Sequence, residues 1–169
     1  MENNISLLER LYKEFGLLKT DFFQSKIDNK SFVIITRTGI EKIQMKSHIY
    51  VDFKCEAATK DYAAVKATGF IKGKEETTIH TFGSATKGEF ILEGKKWQLK
   101  GGNTDSNYVL EIAEKRALSR VVLKLSHLYM ENVYSQDENA EEFIAASDVQ
   151  KEKGKQLEKL MLDGNGKKK

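Results

Sequence analysis

One stretch, Asn107 to Tyr129 (NYVLEIAEKRALSRVVLKLSHLY), limits the folds open to this chain more than any other. At 100° per residue, Ala113, Ala117, Val121, Leu125 and Leu128 fall on one face, and Leu110, Leu118 and Val122 widen it. So broad an apolar arc calls for a sheet to cover. Asn107, or Ser106 before it, is placed to cap the start. Arg116, Arg120 and Lys124 recur at four-residue spacing and form a basic stripe along one edge of the arc. Glu114 falls inside the arc, where a buried carboxylate needs a partner or a rim position. The helix alone does not separate a solvated basic edge from one that lines a polyanion groove.

The sheet is written just upstream. His48 to Ala58 alternates, with Ile49, Val51, Phe53, Cys55 and Ala57 on one side and Tyr50, Asp52, Lys54 and Glu56 on the other. Tyr62 to Ile71 puts Ala63, Val65, Ala67 and Gly69 on one face and Ala64, Lys66, Thr68 and Phe70 on the other. Thr77 to Phe82 reads as a third strand. Thr59-Lys60-Asp61 and Lys72 to Glu76 are the turns between them. One face is polar and partly basic, as in an antiparallel sheet covered on one side. The expected fold is therefore α+β: an antiparallel three- to four-stranded sheet covered by a long helix, a β-β-β-α core. Glu89 to Leu99 adds an inserted small hairpin, with Phe90, Leu92, Trp97 and Leu99 as apolar anchors.

The ends read as helical. Ile5 to Phe15 carries a helical stripe that Asn3 or Asn4 can cap and Gly16 can end. Leu17 to Asn29 is mixed, with a turn at Asp28-Asn29, and SFVIIT at Ser31 to Thr36 is a strand. Thr38 opens a short helix, although Gly39 in its first turn costs about 1 kcal/mol of propensity. A short helix at 139–146 and a marginal one at 149–162 precede a basic tip at 164–169.

The chain has 169 residues with a net charge of +3, no proline and one cysteine, Cys55. This fits one core-bearing domain, residues 1–130, followed by an acidic and then basic segment, 131–169. Residues 131–148 hold six acids and no base, whereas 149–169 hold seven lysines against three acids. A basic body beside such blocks points to a polyanion partner. The lone cysteine and the lack of any long apolar run lead us to expect a soluble cytoplasmic protein with no membrane partner.

Catalytic constellations are not evident. His48, His80 and His127 lack metal-ligand spacing, and no Walker lysine or zincin motif is present. Asp52, Glu56, Glu75 and Glu76 are the acids that a metal nuclease reading would need. The expectation is no enzyme, no cofactor and no metal site. Gly83 to Gly88 (GSATKG) offers glycine, small hydroxyls and Lys87, the ingredients of an anion-binding nest or of a plain loop. Lys87, Lys95, Lys96 and Lys100 surround Trp97, a pattern suited to a single strand: lysines meet phosphates and an aromatic stacks on bases. Equally, Trp97 can anchor the hairpin to the body.

Three pieces together resemble the single-strand annealing protein superfamily, comprising the phage Erf-type and eukaryotic recombination-mediator-type proteins. They are FVIITRTGIEKI, the meander closing in TTIHTFGSAT, and YVLEIAEKRALSRVVLKL. The resemblance spans about Ser31 to Leu128, and the 89–99 hairpin matches none of its elements. It implies single-stranded DNA binding and ATP-independent annealing of complementary strands in recombination and DNA repair. It also implies assembly into a homo-oligomeric ring or filament. Carried onto this sequence, it places Arg37, Arg116 and Arg120 at the strand, with Glu114 and Gly83 organising the groove or the subunit joint. Lys87, Lys95, Lys96, Trp97 and Lys124 complete the expected DNA-binding set from the residues themselves. Two further readings are a coating module without annealing activity and a phage structural or inhibitory interaction protein of the same fold.

Overall fold

The computed structural model describes residues 6–27, 30–94 and 96–138. Expectations for the 139–146 and 149–162 helices, the terminal tip, the Asp28-Asn29 turn and the Asn3 or Asn4 cap lie outside the described residues.

Helix α1 (Leu7–Lys13) starts at a capping box in which Ser6 accepts from the Glu9 N–H and Glu9 returns to the Ser6 backbone. The chain turns at Gly16, which has φ +65°. Strands β1 (Phe22–Ile27) and β2 (Lys30–Ile35) form an antiparallel pair. All four of Phe32, Val33, Ile34 and Ile35 are buried, so β2 is covered on both faces. Helix α2 (Arg37–Lys46) follows, capped by the Thr36 side chain on the Gly39 N–H.

The main sheet is β3 (Ile49–Ala58), β4 (Tyr62–Ile71) and β5 (Lys74–Thr86), antiparallel in the order β3-β4-β5. A separate two-stranded hairpin, β6 (Glu89–Glu93) and β7 (Lys96–Lys100), precedes helix α3 (Val109–Leu125). Left-handed backbone at His127, φ 61°, ends the helical run, and a 3₁₀ turn (Leu128–Glu131) leads to β8 (Val133–Ser135). β8 joins β2 in parallel and completes a second sheet, β1-β2-β8. The α+β expectation of a three-stranded antiparallel sheet, a long covering helix and an inserted hairpin therefore holds.

Helix α3 packs across β4 and β5 at unusually short range. Ala63, Val65, Ala67, Gly69, Thr81, Gly83 and Ala85 form the buried face of the sheet, and Ala113, Ala117 and Val121 face them. A Cβ added at Gly83 would run into the α3 backbone at Ala113 and Ala117. One at Gly69 would lie 3.0 Å from a Val121 methyl. The Thr81 hydroxyl donates to the Ala117 carbonyl at 2.8 Å, a buried bond between strand and helix. The second half of α3 is buried on nearly every side, as Leu118, Ser119, Val122 and Leu123 turn toward other elements, among them α2 and β8.

Several local expectations are corrected. β5 continues through Gly83 to Thr86, so this segment is strand rather than nest or loop. Neighbouring β4 supplies a pairing partner at every step from Tyr62 to Val65, which extends the ladder. Glu114 is exposed, not inside the buried arc, because the covered part of α3's first turns narrows to Val109 and Ala113. Gly39 is explained by packing: an added Cβ would lie 2.6 Å from both the Asp21 carbonyl and the Ile35 side chain.

Gly83→Ala should lower stability by ~3 kcal/mol through overpacking against helix backbone. Gly73→Ala, in an open turn at φ +77°, should lose only about 1 kcal/mol from backbone strain. Urea unfolding midpoints measure both; equal losses would mean that the close approach of α3 does not constrain the fold.

Candidate nucleic-acid interface

Two residues of the basic stripe of α3, Arg116 and Arg120, turn inward onto β5. Arg116 donates from Nη1 to the Ser84 carbonyl at 2.7 Å, from Nη2 to the Asn103 carbonyl at 3.0 Å and from Nε to the Asp137 carbonyl at 2.7 Å. Arg120 donates from Nη1 to the Phe82 carbonyl and from Nε to Glu138 Oε1, both at 2.6 Å. Thr86 completes the series: its N–H donates to Asn103 Oδ1 at 2.9 Å and its carbonyl accepts from the Asn103 N–H at 2.8 Å. Residues 82, 84 and 86 alternate along β5, and their backbone groups point away from β4. The two arginines and Asn103 thus cap the outer edge of β5, the edge at which another strand would otherwise add. They also hold the segment that follows β8.

Glu138 is the buried end of this clamp, with no exposed side-chain surface. Burial pushes its carboxyl above the ordinary carboxylate range, against the opposing pull of Arg120. Beside it, burial and the Glu138 charge raise the Tyr129 hydroxyl to about 12. A second anchor ties α2 to the loop before β1: Asp21 Oδ2 accepts from Lys42 Nζ and from the Leu18 N–H, each at 2.6 Å.

The remaining sequence candidates scatter. Arg37 opens α2 and pairs with Glu41 at 3.0 Å. Lys87 Nζ donates to Asn107 Oδ1 at 2.7 Å, and Lys87 lines a cleft of about 530 Å³ with Lys60, Asp61, Glu89 and Lys100. Trp97 is 67% exposed, so it does not anchor the hairpin to the body. Lys124 is exposed near the end of α3. Lys95 and the Lys96 side chain lie outside the described residues. Gly83 lies beneath α3, as described, and Glu114 faces solvent.

The sheet face opposite α3 gathers residues that the sequence reading placed together but did not nominate. Tyr50 and Phe70 are cross-strand partners and stack, with ring centroids 5.8 Å apart and 15° between planes. Lys72 Nζ stands 5.9 Å from the Tyr50 ring centroid. The next row is Asp52, Thr68 and His80, with the Thr68 hydroxyl 3.0 Å from His80 Nδ1. Beyond it come Lys54, Lys66 and Phe82, about 13 Å along the strands from the Tyr50 row. Tyr50 and Phe82 are half exposed. Glu56 shares the face and holds Lys54 at 3.1 Å. Such an exposed pair contributes little and gives way readily to a phosphate. The signal for this face was the alternation of β3 and β4, in which Tyr50, Lys54, Lys66 and Phe70 all have the same outward parity.

Among the described residues no group of three or more His, Cys, Asp or Glu can hold a metal ion, and no helix is long and apolar enough to cross a membrane. Comparison with protein-family models, with curated proteins and with solved structures finds no match.

Arg120→Met leaves the Glu138 carboxylate buried without its cation and should cost ~3 kcal/mol at neutral pH. Glu138 binds its proton more tightly folded than unfolded, so protonation on acidification favours the folded state. The loss should therefore shrink between pH 7 and about pH 5. Urea titrations of wild type and variant at both pH values test this; a loss independent of pH would mean that Glu138 is not the group stranded.

Proposed function

We propose that this protein binds single-stranded DNA on the outer face of the β3-β4-β5 sheet and promotes ATP-independent annealing of complementary strands. The observation that carries the reading is the arrangement on that face. Stacked Tyr50 and Phe70 and exposed Phe82 supply surfaces for bases, and Lys54, Lys66 and Lys72 supply cations for the backbone between them. Stacking accepts any base, so the surface has no requirement for sequence. The resemblance of the opening motif, the meander and the α3 motif to single-strand annealing proteins supports the same reading and adds self-assembly into a ring or filament.

In mechanism the protein forms no covalent bond. Lysines neutralise part of the backbone charge, and the aromatics hold a few bases against a flat sheet while their neighbours stay open to a second strand. Pairing itself supplies the driving free energy, and the protein lowers the cost of encounter by holding strands extended and close. Several copies side by side multiply modest contacts through effective concentration. The arginines of α3 contribute by keeping the β5 edge and the sheet in shape.

With three lysines on the face, the affinity should fall with a log–log salt slope of about −2, roughly 20-fold between 50 mM and 200 mM salt. Tyr50→Ala and Phe82→Ala should each weaken binding by ~1–3 kcal/mol, with little change in that slope. Lys66→Ala should flatten the slope by about 0.7. The measurement is anisotropy of a fluorescent single-stranded oligonucleotide over a salt series, with the complementary strand added at the end. Binding with faster pairing supports annealing, and binding without it leaves a strand-coating module. Absence of binding at low salt, or binding unchanged by all three substitutions, rules out this face.

A further inference from the structure

The β6-β7 hairpin is apolar where a surface strand pair would be polar. Its register places Phe90 opposite Leu99 and Leu92 opposite Trp97, so these four residues share one face. Phe90, Leu92 and Trp97 are each more than half exposed. An isolated two-stranded ribbon is marginal in water, and an apolar ribbon face left open is a surface that seeks a partner. Both outer edges also lack a strand among the described residues. The contrast with the rest of the molecule is direct. The outer edge of β5 is capped by Arg116, Arg120 and Asn103, and β3 carries a bulge between Cys55 and Ala57.

The charge pattern identifies the partner. β6 (EFILE) has an acid at each end, Glu89 and Glu93, and no base. β7 (KWQLK) has a lysine at each end, Lys96 and Lys100, and no acid. Within the hairpin the register sets Glu89 opposite Lys100 and Glu93 opposite Lys96, and Lys100 Nζ reaches diagonally to Glu93 at 3.1 Å. Pairing β6 with a second β6 sets Glu against Glu, and pairing β7 with a second β7 sets Lys against Lys; both are repulsive. Pairing the free edge of β6 with the free edge of β7 from another copy repeats the complementary match at both ends. The same alignment continues the apolar face, bringing Phe90 and Leu92 beside Trp97 and Leu99 of the neighbour.

We infer that the β6-β7 hairpin is the subunit joint of this protein, the β6 edge of one copy adding to the β7 edge of the next. Such a contact is heterologous: each copy offers one edge and accepts the other. It therefore propagates into a closed ring or an open filament instead of stopping at a two-fold dimer. The joint extends the self-assembly part of the reading above and rests on it. It places oligomerisation on the hairpin and leaves the Tyr50–Phe82 face open.

Disulfide trapping without nucleic acid tests the joint. Ile91 and Gln98 are the central residues of the two strands. The antiparallel alignment that matches the charged ends and continues the apolar face sets Ile91 of one copy against Gln98 of the next. Both are exposed, so cysteine is tolerated there, and Cys55→Ser removes the native thiol. Single variants Ile91→Cys and Gln98→Cys are prepared separately on that background, oxidised alone and as a mixture, and the mass of the unmodified protein is followed by light scattering. The expected result is assembly beyond a dimer, with the mixed disulfide several-fold more abundant in the mixture than either homodisulfide alone. Homodisulfides that form as readily, or a protein that stays monomeric at high concentration, overturn the joint. Strand binding by a monomer in the oligonucleotide assay would then show that the joint failed while the nucleic-acid reading stood.

Discussion

The fold depends on how closely α3 can approach the β4-β5 strands. At Gly83 nothing larger than hydrogen fits between strand and helix backbone, and Ala63, Ala67 and Ala85 continue this lining of small side chains around Ala113 and Ala117. The gain is geometric more than hydrophobic, since alanine and glycine bury little apolar area each. Close approach lets Thr81 bond a mid-helix carbonyl, and it brings the Arg116 and Arg120 guanidinium groups within reach of the β5 edge. A helix riding higher on valine or leucine would hold those arginines too far out to cap the strand. Helix packing, edge protection and the clamp on residues 137–138 thus follow from one set of small residues.

Much of this was legible in the sequence because side-chain period is a local property. The alternation of β3 and β4 put the right residues on each face, and the helical period of 107–129 located the covering element. Where the reading went astray, the deciding information was long-range. Glu114 has the angular position of a core residue, but that side of α3's first turns, with Leu110, is exposed. Gly83-Ser84-Ala85-Thr86 has the composition of a loop, yet β4 offers partners and α3 needs room. β1 and β8 were not foreseen. β8 is only three residues long, and its pairing with β2 joins positions about a hundred residues apart.

The candidate site illustrates the same limit. A basic stripe on an amphipathic helix is compatible with a phosphate groove and with an internal clamp, and spacing cannot separate them. The decisive fact is what lies opposite, and opposite Arg116 and Arg120 lie backbone carbonyls and Glu138. Arginine suits that task because its planar fork reaches several acceptors at once, as Arg116 does with three. The aromatic face was hidden for the converse reason. Tyr50, Phe70 and Phe82 sit on three strands in a polar background, and only the register aligns them with Lys54, Lys66 and Lys72 on one surface.

Edge management connects the fold with the proposed use. A strand-binding sheet must keep one face open, and an open sheet invites uncontrolled strand addition. Here β5 is sealed by arginines from the helix that covers the other face, so the seal costs no area on the open one. Among the described residues the hairpin has neither bulge nor cap, and its edges carry opposite charge. If strand addition is confined to that hairpin, neighbouring copies join at a distance from Tyr50, Phe70 and Phe82 along the chain, and each copy keeps its open face. The same rule that makes an unpaired edge a hazard then makes one pair of edges, matched in charge, a directional joint.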